Sequence, residues 1–219
     1  MRETVSTLAD ERFVGGVPVS PFQSLEACAQ RILTDARSGT GGFAIAINAE
    51  KVITCGVDRD LEATVERATL RYPDGAGVVV AMRLKGARST RVAGADLWLE
   101  VLRQSRGRPV SIALIGAKPE VLNATRRRLE AEFPNVTVSI ARNGYEGTRD
   151  VDALVREVED AKPALVFVAL GSPRQELLIE RFRAAASIVA RASSRPRRCR
   201  TIRRGPCRSR RGARHGSAR

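Results

Sequence analysis

Residues 164–170 read Ala-Leu-Val-Phe-Val-Ala-Leu, apolar at every position, and Gly171 ends the run just before a helical pattern begins at Pro173. A run this short with no polar alternation fits a strand buried on both faces, the condition of strands in parallel sheets covered by helices. Residues 110–115 form a second such strand, ended by Gly116. From about residue 14 to 183 strand-type and helix-type patterns alternate, which predicts an α/β domain with a mainly parallel sheet. Strands are expected over 16–20, 43–47, 110–115, 136–140 and 164–170. Helices are expected from the Ser24 cap to 37, then over 58–71, 95–103, 119–133, 151–160 and 173–185, and 78–84 is an apolar run of open type.

Composition narrows the function classes. The formal charge is +14, but residues 184–219 hold twelve arginines and no lysine or acid, so subtracting twelve leaves about +2 for the rest. A nearly neutral body carries a polycationic tail, the pattern of a nucleic-acid or anionic-surface contact. With 4% aromatic residues and none in the tail, base stacking has no platform, so no specific nucleic acid is expected. The domain is placed at 14–186 and an Arg-rich tail, expected to be disordered, at 187–219. One histidine and four cysteines without a CxxC pair argue against a histidine triad and a zinc site. The chain has no run of about 18 apolar residues and no signal-type start, so a cytoplasmic location is expected.

Several short motifs fall where sheet edges are expected, and each has two readings. Tyr72-Pro73-Asp74-Gly75 makes a turn, or presents Asp74 as a general base. In Gly171-Ser172-Pro173-Arg174-Gln175-Glu176, Ser172 caps a helix and Gln175 completes a capping box. Alternatively, the helix start and Arg174 meet a diphosphate. Gly116-Ala117-Lys118-Pro119-Glu120 repeats the strand–glycine–helix arrangement without Walker A spacing, and no GxGxxG follows a strand. In the segment 91–98, Leu97 and Trp98 are core residues, while Arg91 or Asp96 could face a ligand. Asn48 caps a segment or bonds a sugar, and Tyr145 is a turn residue or a stacking ring.

Taken in order, six motifs resemble the WecG/TagA/CpsF glycosyltransferases of bacterial surface polysaccharide synthesis. They are Asn48-Ala-Glu-Lys51, Pro73-Asp-Gly75, the segment from Arg91 to Asp96, the segment from Gly116 to Val121, Gly144-Tyr145, and the segment from Gly171 to Glu176. The wording is most similar to the WecG branch, which transfers N-acetylmannosaminuronic acid. The resemblance implies an inverting, metal-independent enzyme without a cofactor, built on a Rossmann-like sheet. UDP-sugar is the implied donor and a polyprenyl-diphosphate-linked N-acetylglucosamine the acceptor, at the inner membrane surface, with self-association. It implies Asp74 as base and Gln175 in the pocket. Asn48, Gly75, Arg91, Asp96, Gly116, Lys118, Tyr145, Gly171, Arg174 and Glu176 are the other residues expected at substrate. Ala46 stands where the family has a threonine, so one polar contact is missing. The family's later Gly-Gly-x-x-Asp, Arg-Ala-Pro and Gly-Leu-Glu-Trp segments are not recognisable after 186. The tail therefore reads either as a wrong-frame translation or as a divergent tail on an open site, which would make the protein a degenerate transferase. A binder acting through its basic tail is the competing class.

Overall fold

The computed structural model describes residues 11–38 and 42–182, and the backbone of 187–190. Six parallel strands form the main sheet in the order β4-β3-β8-β7-β5-β6: β3 (Gly42–Ile47), β4 (Leu70–Pro73), β5 (Val110–Gly116), β6 (Val136–Arg142), β7 (Leu165–Ala169) and β8 (Ser187–Ala190). A separate antiparallel hairpin, β1 (Arg12–Val14) and β2 (Val17–Val19), turns at Gly15 and Gly16, both with positive φ. The helices are α1 (Leu25–Ser38), α2 (Ala49–Cys55), α3 (Arg59–Arg67), α4 (Ala76–Leu84), α5 (Gly94–Gln104), α6 (Pro119–Glu132), α7 (Val151–Ala161) and α8 (Arg174–Phe182).

Strand periodicity divides the core into two layers. Phe43, Ile45 and Ile47 of β3 point to the layer filled by Leu61, Val65, Val78, Met82, Leu154, Val158, Ile179 and Phe182. Ala44 and Ala46 point the other way, under Ile32, Leu33, Leu97, Trp98 and Val101 of α1 and α5. The same alternation holds for Val166 and Val168 against Leu165 and Phe167 in β7. Trp98 meets Phe167 edge-on at 5.9 Å. Ala46, 1% exposed, is part of that apolar layer, where a hydroxyl would need a partner.

Most expected elements are present, with four differences. The helix expected over 58–71 stops at Arg67, and 70–73 is a strand. Leu70 and Tyr72 face the α5 layer, while the buried Arg71 turns back to donate to the carbonyls of Val65, Glu66 and Ala68 and pairs with Glu11. Residues 49–55, given no element beforehand, form α2, and the apolar run 78–84 is helical. The tail boundary at 186 is also corrected: Ser187–Ala190 lies inside the sheet, between β3 and β7. The remainder of the expected disordered tail lies outside the described residues. No helix among the described residues is long and apolar enough to cross a membrane.

Candidate active site

The chain leaves β5 towards β6 on one side and leaves β7 towards β8 on the other. This reversal opens a crevice at the carboxyl ends of the strands, the usual ligand position in such sheets. Every motif singled out above reaches that edge, but the two sides of it are built differently.

On the β3/β4 side the chemistry is carried by side chains. Asp74 directly follows β4, and its N–H donates to the Ile47 carbonyl at 2.8 Å, which joins it to the end of β3. The next loop folds over the strand end through the Val92 N–H to the Pro73 carbonyl, 2.8 Å. That contact sets the start of α5 against the carboxylate. Gly94 N–H donates to Asp74 Oδ2 at 3.2 Å, and Arg91 Nε lies 3.6 Å from Oδ1. The carboxylate thus accepts from the first turn of α5 and lies beside a guanidinium. The Asp74 side chain is 12% exposed and that of Arg91 47%, so the acid is sheltered yet reachable. Asn48 stands beside them and caps α2 by accepting the Lys51 N–H at 2.8 Å. That bond uses its oxygen and leaves its amide nitrogen without a partner among the described residues. Gly75 packs at ordinary distance on Asn48. Asp96, in the first turn of α5, is exposed.

On the β5/β7 side backbone replaces side chains. Gly116 has φ +118°, and a Cβ there would lie 2.3 Å from the Ala169 carbonyl oxygen. Ala117 also takes a positive φ; its N–H donates to Ala169 and its carbonyl accepts from Gly144. Asn143 Oδ1 accepts the N–H groups of Tyr145 and Glu146, holding the Tyr145 ring out in solvent. Lys118, at the N-terminal cap position of α6, is exposed and makes no capping bond. Arg174 bonds Thr148 Oγ1 at 2.6 Å, and both line a cavity of about 420 Å³ with Val151, Leu170 and Leu177.

The capping box expected at 172–175 does not form. The Ser172–Pro173 peptide is cis, α8 begins at Arg174, and Gln175 turns inward to donate to Glu176 Oε1 at 2.8 Å. Gln175 is 1% exposed and Glu176 fully buried, so neither lies on the open surface beside Gly171 and Arg174. Glu176 also takes the ammonium of Lys51 in a buried ion pair. Gln175 Oε1 and Glu176 Oε2 have no partner among the described residues. This contact ties α2, which follows β3, to α8, which follows β7. The sequence reading missed Lys51 because it used its motif only for Asn48. A lysine one turn into a helix that starts at a strand end was the available signal.

Asp74, Arg91, Asn48 and Gly75 are thus brought together on one side, and Gly116, Gly171, Tyr145 and Arg174 stand along the other. Lys118 and Asp96 reach the same edge without contacting them. Among the described residues no three His, Cys, Asp or Glu side chains gather to hold a metal ion. The arrangement on the β3/β4 side suits proton removal by a sheltered yet reachable carboxylate. A family described as Glycosyl transferase WecG/TagA/CpsF has a sequence model that matches residues 12–192.

Proposed function

The chain belongs to the WecG/TagA/CpsF glycosyltransferase family, and on that premise we propose that it moves an N-acetylmannosamine-type sugar, N-acetylmannosaminuronic acid favoured, from UDP to a polyprenyl-diphosphate-linked N-acetylglucosamine. Asp74 removes the proton of the acceptor hydroxyl as its oxygen bonds the anomeric carbon. The bond from that carbon to the UDP oxygen breaks on the opposite face, so configuration inverts without a sugar–enzyme intermediate. UDP leaves carrying the bond electrons, and nearby cations stabilise that charge. Arg91 and Arg174 are the first candidates for this, with Lys118 a third. The observation that carries this reading is the Asp74 carboxylate, held by the Gly94 N–H and Arg91 at the sheet's carboxyl edge.

The test is Asp74→Asn, read as UDP release and as sugar transfer onto a lipid-linked N-acetylglucosamine. The rate should fall by about 10²–10⁴ with donor binding kept. A near-normal rate removes Asp74 as the base. Equal transfer onto unrelated acceptors would overturn the acceptor assignment.

A further inference from the structure

Helix α4 starts at the residue after Asp74-Gly75 and is apolar nearly all round. Val78, Val79 and Met82 are buried beneath it. Its outer stripe, Ala76, Gly77, Val80 and Leu84, lies in solvent, with Val80 53% and Leu84 85% exposed. A surface helix normally turns a polar face to water. Strand β1, packed beside α4, leaves Phe13 59% exposed as well. Between Asp74, which pairs with Arg91, and Asp96 the chain carries only positive charge. Residues 75–95 include Arg83, Lys85, Arg88 and Arg91 and no acid, and all four cations are exposed. At the far end of the helix an open cavity of about 620 Å³ is lined by Arg83, Arg88, Ser89 and Thr90.

We propose that α4 and the loop after it form the surface by which this protein docks on an anionic lipid bilayer, with Val80 and Leu84 entering the acyl boundary and Arg83, Lys85 and Arg88 meeting lipid phosphates, while Arg91 stays with Asp74. The proposal rests on the reading of Asp74 as the acceptor-activating base. A nine-residue helix is about 13 Å long, so the carboxylate would stand within that distance of the membrane surface that carries the acceptor. A second copy fits the stripe poorly, because a two-fold contact would bring the same cations together. A nucleic acid would satisfy the cations and leave Val80 and Leu84 in water.

The test uses the full chain and vesicles of phosphatidylcholine containing roughly a third phosphatidylglycerol. Leu84→Trp places a reporter on the stripe, and Val121→Trp, on exposed α6, is the control; the native Trp98 is buried in both. Vesicles should shift the Leu84→Trp emission to the blue, and brominated lipids should quench it several-fold more than the control. The quenching should persist at high salt, where contact through the arginine tail is screened. Replacing Val80 and Leu84 by Ser should weaken high-salt partitioning about tenfold. Equal quenching of the two reporters would overturn the proposal, as would binding lost entirely at high salt. A concentration-dependent blue shift without vesicles would assign the stripe to a second copy instead. None of these readouts needs substrate, so docking can stand or fall separately from transfer measured on a short-chain soluble acceptor.

Discussion

Beyond β3 and β4 the chain presents Asn48, Asp74 and Arg91, each held by a neighbouring backbone group or charge. Beyond β5, β6 and β7 it presents Gly116, Gly144 and Gly171, where a side chain would collide or force an unfavourable φ. One side needs particular functional groups at fixed distances; the other needs room and exposed backbone. Catalysis of group transfer requires both, because a base acts only on a substrate positioned beside it. The sides differ in tolerance for that reason. The first fails by losing an atom and the second by gaining one.

The largest stability effect is expected where the sides are joined. Lys51→Met leaves Glu176 buried without its cation and should cost about 3–5 kcal/mol in urea unfolding. A cost below about 1 kcal/mol would mean that the pair does not couple them. Adding Glu176→Leu should recover much of the loss, since a matched apolar pair is tolerated where a lone buried charge is not.

Two glycine substitutions sharpen the contrast directly. Gly116→Ala combines the φ of +118° with a Cβ 2.3 Å from a backbone oxygen. It should destabilise by about 2–3 kcal/mol. Gly75 has an extended φ of 172° and meets Asn48 no closer than 3.7 Å. Gly75→Ala should cost less than about 1 kcal/mol. Equal costs would remove the distinction between a side built on close backbone approach and one built on side chains.

A further effect, confined to alkaline pH, concerns the apolar layer under α1 and α5. Burial under α1 pushes the Cys28 thiol above its ordinary pKa of 9.0. The neutral thiol is therefore the form the fold favours. Its contribution is complete below pH 9 and is lost as pH rises above that value, by about 1 kcal/mol near pH 10. Cys28→Ala should lower stability at neutral pH yet flatten this alkaline decline relative to the parent. An unchanged slope would show that the thiol is not the group responsible.

Much of this architecture was legible beforehand for a local reason. Hydrophobic period, caps and glycines act over a few residues, so β5, β7, the Ser24 cap of α1 and the Pro119 start of α6 can be read one segment at a time. The errors arose where a distant partner overrode the local pattern. Arg71 fell in a segment with helical spacing, but the carbonyls at the end of α3 and Glu11 receive its side chain and the backbone there is a strand. Gln175 had the right spacing for a capping box and was drawn inward by Glu176.

The sequence alone determined that an α/β domain would form, that two strands would end on glycine, and that Asp74 and Arg91 belonged to the set worth watching. Tertiary structure decided which of them meet. Strand order, set by how six strands bury their faces, places β8 between β3 and β7 and brings Lys51 to Glu176 across 125 positions of chain. The pairing of Arg91 with Asp74 likewise follows from a loop pinned over β4 by one backbone hydrogen bond. Periodicity reports whether a residue is buried, but a partner far along the chain is chosen only when sheet order and loop path bring the two together.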